Sequence, residues 1–371
     1  MIVVIAGTRP ELIKTAPVLH ELGRRSLGFH LIHTGQHYSH SLDEVFFEDL
    51  QLPKPYVNLH VGSSSAGHQI AQIISGVSDV LQLLKASVIL VQGDTNSVLG
   101  GALAGFKLGI PVAHLEAGLR SDDWGMPEEG NRVLAGRVAS LHFCPTALQS
   151  ARLAAEGIFS GVHVVGNTVV DASLHFARIA RERSRVLSTL KLDGRRYGIL
   201  TLHRPSNVDS EHHLASLLRG VDRAARENDV DFVFPIHPRT ADKIKTFGLS
   251  HLLNGRIQAV EPVGYVDMLR LIQESTIVLT DSGGLQEEAC TLRVPCVTLR
   301  PNTERPETVD VGANVLFDGT DGHELSEIIA LMSQRTRTWI NPFGDGKTSA
   351  RVVRLMADEP IPRLGSRVEP S

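Results

Sequence analysis

The stretch LTDSGGLQEEA, residues 279–289, predicts the local fold and indicates a ligand. The apolar run from Thr276 to Leu279 is typical of a buried strand, and the two glycines mark a turn into a helix that carries Glu287 and Glu288. Glycines at such a junction let backbone N–H groups approach a ligand, and a helix N-terminus favours negative charge. An acidic residue on that helix can accept hydrogen bonds from a ribose. The stretch therefore indicates a nucleoside diphosphate site, although a tight turn without a ligand has the same pattern.

The composition is that of an ordinary globular protein, and 371 residues fit two domains better than one core. The 37 basic and 41 acidic residues give a net charge of −4 without a long basic run, so neither nucleic acid nor a membrane surface is expected as a partner. No apolar run approaches the roughly 20 residues that span a bilayer, and the N-terminal segment is interpreted as a first strand and not as a signal peptide. The three cysteines, Cys144, Cys290 and Cys296, lack CxxC spacing and favour a reducing compartment, the cytoplasm.

Short β-branched segments alternate with amphipathic segments along the chain. Strands are predicted at 2–6, 30–33, 88–91, 112–115, 141–143, 198–202, 232–236, 257–260, 277–280, 296–299 and 315–317. Helices are predicted between them, for example at 65–84, 95–108, 147–156 and 169–187. This alternation predicts parallel sheets built from βαβ units. Because the strand series starts again after the helical stretch 169–190, we place a domain boundary near Asn167. Ligands are then expected in a crevice beyond the carboxyl ends of the strands.

The segment GTRPELIK, residues 7–14, directly follows the first predicted strand. Pro10 suits the first turn of a helix, which places Arg9 and Lys14 near the helix start. Basic groups beside a helix N-terminus are typical of a phosphate site. A solvated basic helix face is the alternative interpretation.

Acidic residues end two neighbouring strands of the first half, Asp94 in VQGDTNSV and Glu116 in HLEAGLR. A third candidate lies in MPEEGNR, residues 126–132, which contains Glu128 and Glu129. Carboxylates that cluster raise one another's pKa, which suits acid–base catalysis. The alternatives are an N-cap role for Asp94 before a helix that begins at Thr95, and a charged first helical turn for the other two residues.

In the second half, two histidines each leave a strand two residues or less before an arginine. His203 precedes Arg204 in TLHRPSNVD, and His237 precedes Arg239 in FPIHPRT. A lone histidine is usually structural, but two in this arrangement favour a ligand-lined cleft. The loop RPNTERPE, residues 300–307, adds further charged side chains, namely Arg300, Arg305 and Glu307. No metal site is predicted, because the histidines lack HxxxH or HExxH spacing.

Together these motifs closely resemble the non-hydrolysing UDP-N-acetylglucosamine 2-epimerases. The similarity runs from Gly7 to the GDG at 344–346 and includes GTRPELIK, GDT, HLEAGLR, PEEGNR, GNTVVD, TLHRPSN, DSGGLQEEA and TERPE in order. It implies an α/β, GT-B-like architecture of two Rossmann-type doubly wound parallel-sheet domains with the active site in the interdomain cleft. The domains are expected at 1–167 and 168–349, with a C-terminal helix at about 350–371 that packs back on the first.

The resemblance also implies a reaction: reversible conversion of UDP-GlcNAc to UDP-ManNAc by elimination of UDP to 2-acetamidoglucal and re-addition, in a cytoplasmic homodimer without metal or NAD. By position, the family's catalytic residues fall on Asp94, Glu116, Glu128 and His203, and His203 is expected to steady the departing diphosphate. Substrate-binding positions fall on Arg9, Lys14, Arg132, His237, Ser282, Gly283, Gly284, Glu288 (ribose) and Arg305. Backbone groups around Val263 and Met268 are expected to meet the uracil.

Two departures from the family pattern stand out. The stretch between Glu116 and Glu128 is shorter than in many bacterial relatives. Gln36 and His37 match a pair that binds an activating second UDP-GlcNAc, but residues 63–72 lack the accompanying arginine, so we expect hyperbolic kinetics without activation.

Several rival functions stay open at this level. Among enzymes they are a hydrolysing UDP-GlcNAc 2-epimerase, a 2-epimerase of a modified UDP-sugar such as a 2,3-diacetamido uronate, and a retaining GT-B-like glycosyltransferase. The non-catalytic rival is a nucleotide-sugar-binding sensor. The pathway served, whether cell wall, capsule or another product, does not follow from the sequence.

Overall fold

The apolar segments of the first half form one parallel sheet, as the alternation predicts. The structure is a computed structural model that describes residues 1–36, 46–319 and 321–362. The strand order is β3-β2-β1-β4-β5-β6-β7, which is doubly wound about β1. The strands are Ile2–Ala6 (β1), Phe29–His33 (β2), Val57–Asn58 (β3), Val88–Gln92 (β4), Val112–Leu115 (β5), Leu141–Cys144 (β6) and Val162–Val164 (β7). Every pairing between these strands is parallel.

Helices connect these strands and cover the sheet, which is why β1 and β4 are buried along their whole length. They are Arg9–Arg24 (α1), Ala66–Leu84 (α2), Asn96–Lys107 (α3), Pro127–Val138 (α4) and Ala147–Ala155 (α5). The helix Thr168–Arg183 (α6) follows β7. The last described helix, Thr348–Ala357, contacts α1.

The second half repeats the same winding. Its parallel sheet has the order β10-β9-β8-β11-β12-β13. The strands are Tyr197–Thr201 (β8), Asp231–Pro235 (β9), Ile257–Val260 (β10), Val278–Thr280 (β11), Cys296–Thr298 (β12) and Asn314–Leu316 (β13). The helices are Val186–Thr189 (α7), Pro205–Val208 (α8), Glu211–Glu227 (α9), Pro238–Thr246 (α10), Tyr265–Glu274 (α11), Gly283–Thr291 (α12), Pro306–Asp310 (α13) and Gly322–Ser333 (α14), so Thr348–Ala357 is α15. A 3-10 helix spans Leu249–Leu253.

Each sheet belongs to one of two compact units. Unit 1 is Met1–Ala172 together with the C-terminal segment from Phe343, and unit 2 is Ser173–Pro342. The boundary predicted near Asn167 therefore lies before the observed one, which falls inside α6. The C-terminal segment joins unit 1 earlier than the predicted residue 350.

Two differences from the predicted elements have local causes. The edge strands β3 and β7 were not predicted, because they have two and three residues and are not fully buried. The helix predicted at 169–187 breaks after Arg183. There the Ser184 hydroxyl accepts a hydrogen bond from the Val186 amide at 3.2 Å, which competes with helical bonding.

Doubly wound sheets bind ligands where the winding reverses, beyond the carboxyl ends of the strands. In unit 1 this is the edge after β1 and β4, and in unit 2 the edge after β8 and β11. Asp94 follows β4, His203 follows β8 and Ser282 follows β11, so these candidate residues lie at the two edges. The three cysteines instead lie in the core, where burial raises the pKa of Cys144 and Cys290 to about 12.

Candidate functional site

Glu116 is the most constrained residue at the edge of unit 1. It directly follows β5 with φ of 62°, a left-handed conformation that costs about 1–3 kcal/mol for a residue other than glycine. Its carboxylate accepts hydrogen bonds from Lys14 Nζ at 2.6 Å, from Asn167 Nδ2 at 2.8 Å and from the Gln92 amide. The side chain is buried. A residue with a strained backbone and a carboxylate held by three donors is typical of a functional site, where the surrounding structure compensates the strain.

Asn167 connects this carboxylate to the C-terminal segment. Its side chain donates to Glu116, and its backbone N–H donates to the Phe343 carbonyl at 2.8 Å. The preceding Gly166 has φ of 98°, and a Cβ there would lie 2.8 Å from the same carbonyl. The close approach of the two segments therefore requires glycine at this position.

Asp94 lies at the end of the neighbouring strand, and it is not the helix cap that the alternative interpretation proposed. Thr95 caps α3, because its hydroxyl accepts from the Ser97 and Val98 amides. The Asp94 carboxylate pairs with Arg132, whose Nη2 and Nε lie 2.6 and 2.9 Å from Oδ2. The structure thus brings the predicted binding residue Arg132 to a predicted catalytic carboxylate.

The two glutamates of MPEEGNR take different environments at the start of α4. Glu129 is buried and accepts from the Ser121 amide and hydroxyl at 2.9 and 2.8 Å and from Arg132 Nη1 at 2.7 Å. Burial would raise the pKa of Glu129, but these hydrogen bonds outweigh it and lower the pKa. Glu129 therefore holds the loop as an ionised carboxylate, whereas Glu128 is exposed and available to a ligand.

The start of α1 is not an empty anion site, contrary to the interpretation of GTRPELIK. The Gly7 and Thr8 amides donate to the buried carboxylate of Glu11, a residue that the sequence did not single out. Lys14 is used by Glu116, and Arg9 is exposed with its guanidinium 5.9 Å from the Phe46 ring centroid. Any phosphate contact in this segment thus depends on the side chains and not on the helix N-terminus.

Gln36, one of the two candidate activator-binding residues, is occupied within unit 1. Its side-chain oxygen accepts from the Ser97 amide at 3.0 Å and from the Ser97 hydroxyl at 2.8 Å, and the residue is buried. The other candidate, His37, lies outside the described residues.

In unit 2, His203 follows β8 and contacts Asp281, which follows β11. The His203 Nδ1 atom lies 2.8 Å from Asp281 Oδ1, and the imidazole is 37% exposed while Asp281 is fully buried. The backbone amides of His203 and Arg204 also donate to Asp281. Burial would raise the pKa of Asp281, but the hydrogen bonds and charge of His203 and the amide bonds outweigh it and lower the pKa.

His237 lies beside this pair, as its position after β9 predicted. Its ring centroid is 5.8 Å from that of His203, and its Nδ1 accepts from the Arg239 amide at 3.2 Å. Burial and the nearby His203 lower the pKa of His237. A neutral imidazole is therefore expected there near neutral pH.

The SGG turn opens α12 with room for a ligand. A Cβ at Gly284 would meet nothing within 4 Å, and a Cβ at Gly283 only Glu304 Oε2 at 3.7 Å. The protein's own packing thus does not require either glycine. The first amides of a helix lack intrahelical acceptors, so those of Gly283 and Gly284 are candidates to bind an anion. The Ser282 amide donates to Thr280 Oγ1 at 3.0 Å, and the Ser282 side chain makes no capping hydrogen bond to α12.

The remaining predicted ligand residues of unit 2 are largely buried. Arg305, a predicted UDP-binding residue, is buried and pairs with Glu287 through Nε and Oε1 at 2.7 Å. Glu288 is also buried, and burial together with its carboxylate raises the pKa of the Tyr265 hydroxyl well above its ordinary value.

The loop charge Arg300 is paired as well. It donates to both carboxylate oxygens of Glu304 at 3.0 Å. Burial would raise the pKa of Glu304, but the guanidinium lowers it to about 2. Glu307, the third charged residue of that loop, is buried at the start of α13.

The segment expected to meet uracil surrounds the start of α11. Val263 and Met268 are half-buried and pack against the core of unit 2. The Met268 amide donates to the Gly264 carbonyl at 2.9 Å, so this donor is not available to a base.

Neither a metal centre nor a membrane span is found among residues 1–36, 46–319 and 321–362. No group of three or more His, Cys, Asp or Glu side chains is arranged there to hold a metal ion. Within the same residues, every helix is too short or too polar to cross a membrane.

Comparison with known proteins agrees with the motifs. The profile of the family described as UDP-N-acetylglucosamine 2-epimerase matches residues 20–357. The UDP-N-acetylglucosamine 2-epimerase of Methanocaldococcus jannaschii is 46% identical over 359 residues, which cover 95% of this chain and 98% of that protein. The UDP-2,3-diacetamido-2,3-dideoxy-D-glucuronate 2-epimerase of Pseudomonas aeruginosa is 36% identical over 360 residues, with 96% and 99% covered.

A solved structure gives the same result for the fold. The crystal structure of the M. jannaschii UDP-GlcNAc 2-epimerase in complex with UDP-GlcNAc and UDP matches with a TM-score of 0.87 at 45% identity, covering 96% of this chain and 99% of that chain. The GT-B-like architecture of two parallel-sheet α/β domains is thereby confirmed. The chain belongs to the UDP-N-acetylglucosamine 2-epimerase family.

Proposed function

We propose that this chain catalyses the reversible 2-epimerisation of UDP-GlcNAc to UDP-ManNAc. The observation that carries the proposal is Glu116, whose backbone is strained and whose carboxylate accepts three hydrogen bonds. It lies beside the Asp94–Arg132 pair, at the sheet edge where doubly wound folds bind ligands. The relatives that are 45–46% identical and named UDP-N-acetylglucosamine 2-epimerase support it.

The proposed chemistry is elimination followed by re-addition. A base removes the proton from C2 while the bond from C1 to the UDP oxygen breaks, which leaves 2-acetamidoglucal and UDP. In the return step UDP adds to C1, and an acid delivers a proton to C2 on the opposite face. Each step moves one proton and one leaving group, so it needs acid–base groups on both faces and stabilisation of the diphosphate.

The residues divide between these two tasks in our proposal. Asp94, Glu116 and Glu128 act on the hexose as the acid–base groups. The anion site at Gly283 and Gly284, with the His203 imidazole, binds the diphosphate. The proposed chemistry requires no redox step and therefore no NAD, and proton transfer by carboxylates requires no metal. A cytoplasmic homodimer that binds neither nucleic acid nor membrane stays a prediction.

Incubation with UDP-GlcNAc in D₂O, followed by NMR, tests the activity. Epimerisation predicts deuterium at C2 of both epimers with the diphosphate linkage intact. Free ManNAc would instead show a hydrolysing enzyme, and unchanged substrate would contradict an epimerase of UDP-GlcNAc. A parallel incubation with the UDP-linked 2,3-diacetamido uronate distinguishes the second substrate class, since turnover of this sugar alone would reassign the specificity.

A series of variants tests the carboxylates. Asp94→Asn, Glu116→Gln and Glu128→Gln are each expected to lower kcat by ~10²–10⁴-fold, the usual cost of a lost acid–base group. Asp79→Asn, on an exposed position of α2, is the control and should keep full turnover. Near-normal turnover in all three carboxylate variants would refute the assignment of the chemistry to these positions.

A further inference from the structure

We propose that Asp281 is a positioning residue that holds the His203 imidazole through Nδ1, with Nε2 directed at the leaving diphosphate. This role rests on the proposed function, because it assigns His203 to the diphosphate. Asp281 itself is not expected to touch the substrate, since it is fully buried.

The geometry fixes the imidazole by one nitrogen. His203 Nδ1 lies 2.8 Å from Asp281 Oδ1, a distance typical of an N–H donor and a carboxylate. Nδ1 therefore carries a proton in the neutral ring, and Nε2 carries one only when the ring is charged. In the charged ring, Nε2–H can donate to a phosphate oxygen while Nδ1–H stays bonded to Asp281.

The carboxylate is itself held by three donors that follow β8, one of which is anchored to the residue after β12. The amides of His203 and Arg204, after β8, donate to Oδ2 at 3.0 and 2.9 Å. The Asn207 side chain donates to the same oxygen at 3.1 Å and to the Leu299 carbonyl, after β12, at 3.0 Å. Asp281 cannot rotate away from the imidazole without breaking these bonds, so the orientation of His203 is preset before the substrate binds.

The other charged groups near the imidazole do not replace this carboxylate. His237 lies 5.8 Å away between ring centroids, and its Nδ1 accepts from an amide. Arg204 is next in the chain, with its Nη2 3.7 Å from Glu304. Arg239 pairs with Asp209 at 2.5 Å. The charge of Asp281 is thus the negative charge that contacts the ring directly.

Asp281→Asn tests the role by keeping the shape and removing the charge. The asparagine oxygen can still accept from the backbone amides, but its NH₂ group would face Nδ1 and force the ring proton to Nε2. We therefore expect the neutral His203 ring of Asp281→Asn to carry its proton on Nε2, which ¹⁵N NMR of the histidine-labelled variant reports. Its kcat should fall about 10- to 10³-fold, with a much smaller change in KM, because charge on the diphosphate develops in the transition state.

A second measurement does not depend on the folding of Asp281→Asn. ¹⁵N NMR of the histidine-labelled wild-type protein, with His203 assigned among the 17 histidines by difference from His203→Gln, reports which nitrogen of the neutral ring holds the proton. We expect Nδ1–H. A proton on Nε2 in the neutral wild-type ring would overturn the proposal.

Asp231→Asn is the matched control, because Asp231 pairs with Arg195 and Arg256 at the other end of the sheet, where β9 begins. Its kcat and KM should match those of the wild type. If Asp281→Asn kept the wild-type kcat, or lost activity through KM alone, the proposal would fail. An inactive wild-type enzyme with the Nδ1–H tautomer would instead refute the proposed function and leave the pairing intact.

Discussion

Replacement of Glu11 by glutamine should stabilise unit 1 at neutral and alkaline pH. The Glu11 side chain is 2% exposed, and its carboxylate accepts from the Gly7 and Thr8 amides and from the Thr95 hydroxyl. Burial raises the pKa of Glu11 from 4.5 to about 7, and the nearby Asp94 adds to the rise, although the hydrogen bonds oppose it. The carboxylate is thus costly to ionise in the folded state.

The sign of the effect follows from the direction of the shift. Between pH 4.5 and about 7 the folded state keeps a proton that the unfolded state has lost, so the free energy of unfolding falls as the pH rises through this window. At 1.36 kcal/mol per pKa unit the full change is about 3 kcal/mol. In Glu11→Gln the amide oxygen can accept from the two backbone amides and the NH₂ group can donate to Thr95, so this pH dependence disappears.

Urea unfolding at pH 5, 6, 7 and 8 measures the difference between wild type and variant. The free energy of unfolding of the variant should exceed that of the wild type by an amount that grows with pH, up to about 3 kcal/mol. Glu129→Gln is the control. It should be less stable than the wild type at each of these pH values, because the pKa of Glu129 is lowered in the folded state and its ionised form is stabilising. Parallel stability profiles for wild type and Glu11→Gln would refute the reasoning.

Three further outcomes are expected. Gly284→Ala should leave the melting temperature unchanged or raise it, because its Cβ meets open space and alanine favours a helix by up to ~1 kcal/mol. The affinity of this variant for UDP, measured by calorimetry, should nevertheless fall tenfold or more, which is about 1.4 kcal/mol. Gly23→Ala in α1, whose Cβ also meets nothing within 4 Å, is the control and should bind UDP with unchanged affinity. If Gly284→Ala bound UDP normally, the anion site would be misplaced. Gly7→Ala puts a Cβ 2.0 Å from Thr34 Oγ1 and 2.1 Å from Ser97 Oγ, so the free energy of unfolding should fall by about 1–3 kcal/mol, and an unchanged urea midpoint would contradict this. Initial rates from UDP-ManNAc should be hyperbolic and should not require UDP-GlcNAc, whereas a sigmoidal curve would restore the activator site.

Both sheets could be predicted from the sequence because buried parallel strands leave almost continuous apolar runs. β1, β5 and β10 have the predicted bounds, and most other predicted strands are displaced by one residue at an end. β3 could not be predicted in this way. It has only two half-buried residues, and its place in the sheet depends on pairing with β2 and not on an apolar pattern.

The candidate site could also be predicted only in part. The ends of adjacent strands predicted that Asp94 and Glu116 lie at one sheet edge, and the parallel register of Gln92 with Leu115 agrees with this. The partners of Glu116 could not be predicted, because Lys14 and Asn167 reach it from distant parts of the chain. Glu11 was missed since its carboxylate differs from an ordinary helical glutamate only through its burial.

The link from Phe343 through Asn167 to Glu116 has a practical consequence for protein engineering. A chain that ends before Phe343 would lack the carbonyl that accepts from the Asn167 amide. The Asn167 side chain, one of three donors to the Glu116 carboxylate, would then be held less firmly. Screening of expression boundaries by solubility alone would miss this damage, because a fragment can express well even when Glu116 has lost the donor from Asn167 and the backbone conformation that the donor supports. Residues 343–362 should therefore be kept in any expressed fragment that is used to measure activity.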